Sequence, residues 1–167
     1  MDRQLYDLAA DIGQALKARG WMLATAESCT GGWIGQCVTM VPGSSEWFER
    51  GFITYTNAAK IEMLGVRQVT LQAHGAVSEQ TVREMADGAL QRSHAQVAVS
   101  VSGVAGPGGG TPDKPVGMVC LGWAVRDGTC RTRTLGLDGD RDAIRRQSVI
   151  AALEGVRELA LAGRVNE

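Results

Sequence analysis

Between an apolar stretch and a helix-like one, this chain carries Thr25-Ala-Glu-Ser-Cys-Thr-Gly-Gly32, a turn rich in hydroxyls with a thiol and paired glycines. The N–H groups that open a helix lack partners within it and carry partial positive charge. A turn of this composition is therefore a cradle for a phosphate or an oxyanion. Ser28 stands where a nucleophile would be useful, and its plain alternative is capping the helix that follows. Cys29 is the neighbouring rival nucleophile.

A serine nucleophile needs a base, because its free hydroxyl is too weak an acid. His74 and His94 lie in polar contexts with no flanking pattern, as surface residues do. Of 17 basic residues only Lys17, Lys60 and Lys114 are lysines. Lys17 suits the end of a first helix and Lys114 lies in a proline-flanked loop. Lys60 differs, lying among apolar neighbours in Tyr55-Thr-Asn-Ala-Ala-Lys-Ile-Glu-Met-Leu64. An amine held in such surroundings loses its proton more readily, since desolvation disfavours the charged form. The alternative is a lysine that snorkels to water. Tyr55 can point its hydroxyl toward the same pocket or sit in the core. Its spacing to Lys60 does not match Tyr-x-x-x-Lys, and no glycine fingerprint follows the first strand, which argues against a dinucleotide oxidoreductase.

The loop Ser102-Gly-Val-Ala-Gly-Pro-Gly-Gly-Gly-Thr-Pro112 is a second signal. Alternating Val97, Val99 and Val101 deliver the chain into it at a strand's C-terminal end, the edge where open α/β sheets bind ligands. Its glycines let backbone N–H groups approach a ligand, while Pro107, Pro112 and Pro115 limit its freedom. Arg141 and Arg145 lie one turn apart near the start of the last helix, where cations oppose the helix dipole. They read either as a fork reaching for phosphate or as a solvated face offset by Asp138, Asp140 and Asp142.

The elements that must position these groups are legible in the periodicity. Asp2 caps a first helix with Leu5, Leu8, Ala9, Ile12, Ala15 and Leu16 on one face, and Gly20 ends it. A strand over 21–26 enters the Ser28 turn and a helix over 32–40 leaves it. Residues 51–55 read as extended. Asn57 caps a short helix bearing Ala58, Ile61 and Leu64 that closes at Gly65. The next stretch reads as irregular until Ser78 starts a helix with Val82, Met85, Ala86, Ala89 and Leu90 inward. After the strand at 97–101 and its loop, 117–125 and 129–135 form strands around the Asp127-Gly128 turn. A long helix from about Asp140 carries Val149, Leu153, Val156 and Ala160 and ends at Gly163. Strands separated by helices predict parallel pairing. The expected class is α/β: a three-layer α/β/α sandwich with a mixed, mostly parallel sheet and a late antiparallel hairpin, in a single domain over 1–167.

Composition narrows the function. A net charge of −1 and the lack of any basic tract argue against a nucleic-acid partner. No apolar run is long enough to cross a bilayer and the start lacks a signal pattern, so a soluble cytoplasmic protein with no membrane partner is expected. Cys29, Cys37, Cys120 and Cys130 form no CxxC pair, and only two histidines accompany them. That spacing predicts reduced thiols, Cys37 and Cys120 in the core, and no metal site.

Taken in order, Ala26-Glu-Ser-Cys-Thr-Gly-Gly32, Gly51-Phe-Ile-Thr-Tyr-Thr-Asn-Ala-Ala-Lys60, Leu64-Gly-Val66, His74-Gly-Ala-Val-Ser78, Ser102-Gly-Val-Ala-Gly-Pro107 and Lys114-Pro-Val-Gly117 closely resemble the CinA C-terminal domain family. The likeness spans nearly the whole chain. Stand-alone members are nicotinamide-nucleotide amidohydrolases of bacterial pyridine-nucleotide salvage. The resemblance implies hydrolysis of the carboxamide of nicotinamide mononucleotide to nicotinate mononucleotide and ammonia, with no metal or cofactor. It implies Ser28 as nucleophile, Lys60 as base and Tyr55 assisting, with N–H groups around Thr30, Gly31 and Gly32 stabilising the oxyanion. Ser102, Gly103, Gly106 and Pro107, with Arg145 and Arg141, would hold the ribose phosphate of this small-molecule substrate. A homo-oligomer, dimer or larger, is also implied. Longer members carry an additional N-terminal domain related to molybdopterin-binding proteins, which is expected to be absent here. Where the family usually has threonine after Pro-Val-Gly, this chain has Met118, read as a packing residue. The alternative from another class is a non-catalytic nucleotide-binding regulatory module in which Ser28 only caps its helix.

Overall fold

The structure, a computed structural model, describes residues 1–162. Helix α1 (Arg3–Arg19) starts at Asp2, whose carboxylate accepts from the Leu5 N–H at 3.2 Å, and stops at Gly20. There follow β1 (Leu23–Glu27), α2 (Trp33–Thr39), a 3-10 turn at Ser44–Glu46, β2 (Phe48–Ile53) and α3 (Asn57–Leu64). Next come α4 (Gln68–His74), α5 (Glu79–Gln91), β3 (Val97–Gly103), β4 (Met118–Val125), β5 (Cys130–Gly136) and α6 (Arg141–Leu161). The expected helix end at Gly163 lies outside the described residues.

Three local expectations are corrected, two of them by a tertiary contact. Strand β2 lies earlier than 51–55 because its parallel ladder with β1 runs from Leu23↔Phe48 to Glu27↔Ile53, which leaves Tyr55 beyond the strand. Thr56, not Asn57, caps α3, its hydroxyl accepting from the Ala59 N–H at 3.1 Å. The stretch expected to be irregular contains α4. Its start is anchored from α5, where Glu84 accepts from the N–H of Arg67, the residue before the helix, at 2.8 Å and from the Thr70 hydroxyl. An anchor supplied by another helix leaves no mark in the local sequence.

The sheet order is β2-β1-β3-β4-β5. β1 pairs in parallel with β2 and β3, and the β3-β4-β5 half is antiparallel. Helices α1, α2 and α6 cover one face, where Val97, Val99 and Val101 pack with Leu121, Ile144 and Leu153. Helices α3, α4 and α5 lie on the other, over Ala24, Ala26, Ala98, Cys120 and Ala124. Small side chains on this second face let α5 approach closely. A Cβ on Gly122 would fall 2.6 Å from the Val82 carbonyl oxygen, so a larger residue there would force helix and sheet apart.

All five residues of β1 are buried, as a central strand covered on both faces must be. Its last residue, Glu27, aligns with Ile53 of β2 and Val101 of β3. The chain segments leaving three parallel strands therefore emerge side by side, at the sheet edge where α/β folds hold ligands.

Candidate active site

Helix α3 buries two residues, Lys60 and Leu64, spaced four apart on one face. An apolar side chain would be ordinary at both positions. Lys60 is instead 1% exposed, and its Nζ lies 2.9 Å from Ser28 Oγ. The amine donates to the Thr54 carbonyl at 3.0 Å and reaches the Tyr55 carbonyl at 3.5 Å. Burial is the main cause holding the Lys60 amine below its usual value of 10.5. These three contacts suit a neutral amine, whose two N–H groups face two obligate acceptors while its lone pair faces a hydroxyl.

Ser28 is held by its backbone, its N–H donating to the Val101 carbonyl at 3.1 Å. Cys29, one residue on, is 6% exposed and packs in the α1/α2/α6 core. Burial pushes its thiol up to about 11, so it stays protonated and unreactive near neutral pH. Adjacent side chains at the end of β1 thus meet opposite environments, the hydroxyl beside an amine and the thiol in apolar packing.

Sequence reasoning passed over Glu27. Its carboxylate is 1% exposed and accepts from the Thr30 hydroxyl at 2.6 Å, the Ile34 N–H at 2.9 Å and the Gly35 N–H at 3.1 Å. It therefore caps α2 from the strand before it and satisfies the helix dipole itself. The one available signal was a charge directly after an apolar strand and before the turn. Thr54, also missed, is buried and ties β2 to β1 through its N–H to the Glu27 carbonyl at 2.7 Å.

The N–H groups expected to face an oxyanion are not equally free. The Gly31 N–H is used inside the turn, donating to the Ser28 carbonyl at 3.0 Å. The N–H groups of Thr30 and Gly32 have no hydrogen-bond partner among the described residues. Gly31 and Gly32 both have left-handed φ, 60° and 103°, which other residues adopt only at a cost.

Arg145 reaches this turn from α6. Its Nε donates to the Cys29 carbonyl at 3.0 Å and its Nη2 to the Thr30 carbonyl at 3.2 Å. Arg141, one turn earlier, donates to the Gly106 carbonyl at 2.7 Å and to the Tyr55 hydroxyl at 3.1 Å. The Tyr55 side chain is 60% exposed. Its contact with the serine–lysine pair is through its carbonyl, because the strand ends before it and turns the ring outward to α6. The glycine loop is brought to the same edge, with Ser102 and Gly103 ending β3 opposite Cys120 and Val119, Gly106 buried and Pro107 exposed.

Other titratable groups lie elsewhere. His74 and His94 are exposed. Lys17 pairs with Glu46 and Lys114 donates to the His74 carbonyl. Met118 packs against the α5-side core. Among the described residues no group of three or more metal-ligating side chains comes together.

The layers and strand order define an α/β protein of the kind that holds ligands at the carboxyl ends of parallel strands, here with a buried lysine against a serine. Residues 5–160 match the CinA C-terminal domain, and the chain belongs to that family. It is 55% identical over 153 residues to the nicotinamide-nucleotide amidohydrolase PncC of Escherichia coli strain K12, covering 92% of this chain and 93% of that protein. A Pseudomonas putida protein of the same name is 51% identical over 152 residues, covering 91% and 94%. Among solved structures, the competence/damage inducible protein CihA from Agrobacterium tumefaciens superposes with a TM-score of 0.91 at 47% identity, covering 93% of this chain and 94% of that one.

Proposed function

We propose that this chain hydrolyses the carboxamide of nicotinamide mononucleotide to nicotinate mononucleotide and ammonia, with Ser28 as nucleophile and Lys60 as its base. Relatives over half identical and matched along nearly their whole length carry the name nicotinamide-nucleotide amidohydrolase, which supports the reaction. The observation that carries the chemistry is the buried amine 2.9 Å from the Ser28 hydroxyl.

Neutral Lys60 takes the Ser28 proton as Oγ forms a bond to the amide carbon. The resulting ammonium keeps the carbonyls of Thr54 and Tyr55 as acceptors, which limits the cost of a buried charge. The unpaired N–H groups of Thr30 and Gly32 are the available donors for the oxyanion. The C–N bond then breaks, Lys60 returns the proton to the leaving nitrogen, and ammonia departs. Water attacks the nicotinoyl ester by the reverse path, losing a proton to Lys60 and regenerating Ser28. Arg141, with Ser102, Gly103, Gly106 and Pro107, is assigned to the ribose phosphate, and Tyr55 to the entrance beside it.

No described helix is long and apolar enough to cross a membrane, and a cytoplasmic nucleotide-salvage role in a dimer or larger assembly completes the reading. Incubation with nicotinamide mononucleotide should release ammonia and nicotinate mononucleotide in equal amounts. Binding without product would favour the regulatory-module reading instead.

A further inference from the structure

We infer that Arg145 is a positioning residue for the nucleophile turn rather than a phosphate ligand, an inference that rests on the Ser28–Lys60 reading. Its guanidinium spends two N–H groups on consecutive carbonyls, those of Cys29 and Thr30. Its central carbon lies over the Trp33 ring, 5.3 Å from the centroid. A guanidinium so seated is oriented by three contacts, all within the turn and the first residue of α2.

The consequence follows from peptide geometry. In a trans peptide the C=O and N–H point in opposite directions. Holding the Cys29 carbonyl toward α6 therefore aims the Thr30 N–H the other way. That N–H has no partner among the described residues. The next peptide is held at both ends, its Thr30 carbonyl taking Arg145 and the Trp33 N–H at 3.0 Å, and its Gly31 N–H donating to Ser28. A positive charge on the carbonyl side also polarises each amide and strengthens its donor. Arg145 thus orients and sharpens the Thr30 N–H as an oxyanion donor while Glu27 keeps the helix donors out of play. A lysine could supply the charge but not the planar two-carbonyl grip.

Kinetics separate the two roles. Arg145→Ala should lower kcat on nicotinamide mononucleotide by about tenfold or more while KM stays within about threefold, as expected for a group acting on the transition state. The dissociation constant of ribose 5-phosphate should be unchanged, Arg145→Lys should restore only a small part of kcat, and added methylguanidinium should rescue the alanine variant. Unaltered kcat, with KM and the ribose 5-phosphate dissociation constant both raised about tenfold, would overturn the inference and give Arg145 to the phosphate. If Arg145→Ala does not fold, Arg145→Lys and Arg145→Gln carry the same readouts. Turnover retained by Ser28→Ala would sink the serine reading instead, and the ribose 5-phosphate measurement stays informative because it needs no chemistry.

Discussion

Two glycine-rich segments leave neighbouring parallel strands, and they are held in opposite ways. The turn after β1, residues 28–32, is gripped from all sides by the Val101 carbonyl, the Glu27 carboxylate and the Arg145 guanidinium. The loop after β3, residues 104–117, is mostly exposed from Pro107 to Val116 and is tied at wider intervals, through Arg141 to Gly106, Lys114 to the His74 carbonyl and the Gly117 N–H to Val104. Bond-making chemistry tolerates little misplacement, whereas a binding loop needs only close backbone approach. On the proposed reading, similar composition after similar strands serves different ends, and what differs is how densely each segment is anchored.

The largest effects should come from the gripped turn. Ser28→Ala and Lys60→Ala should each lower kcat by roughly 10³-fold or more while circular dichroism stays native, because the nucleophile and its base act as one unit. Retained ammonia release in either variant would dissolve the contrast altogether. Glu27→Ala should come next, costing about 2–3 kcal/mol in urea unfolding, since a buried hydroxyl and two N–H groups lose their acceptor. If it folds with full stability, the turn does not depend on that anchor.

Arg141→Ala tests the looser segment and should act on binding, raising KM about tenfold with kcat within about threefold. A fall in kcat alone would erase the distinction between segments. Cys29→Ala should be the mildest, keeping activity within about threefold and losing about 1 kcal/mol of stability from a small core void.

The lysine also sets a pH signature. In the folded state Lys60 lies below 10.5, so between that lowered value and 10.5 the unfolded chain binds the additional proton. Its contribution to stability is present above 10.5 and is lost as pH falls through the folded value, so this term makes stability rise with pH. Lys60→Met should remove that slope in melts taken across the window. Activity should show an acidic limb with a midpoint below 10.5, where Lys60 becomes protonated. A midpoint at the ordinary lysine value would mean the amine is not buried during turnover.

Much of the fold was readable because its signals are local. The Asp2 and Ser78 caps, the alternating valines of β3 and the Asp127-Gly128 turn act within a few residues of chain. The readings that needed correction, α4, the start of β2 and the α3 cap, hinged on an anchor from another helix, a strand register or a choice between adjacent residues. At the site, Ser28 and Lys60 stood out by residue type, whereas Glu27 looked like an ordinary charge and Arg145 like half of a phosphate fork.

The sequence by itself determined which groups were available: a hydroxyl in a glycine-flexed turn, a single lysine among apolar neighbours, a glycine loop after a valine strand and two arginines at a helix start. Only the tertiary structure decided which of them meet and in what state. An amine's proton affinity depends on the solvent it has lost, and a carbonyl's direction depends on what pulls it, so both are properties of groups that lie far apart in the chain.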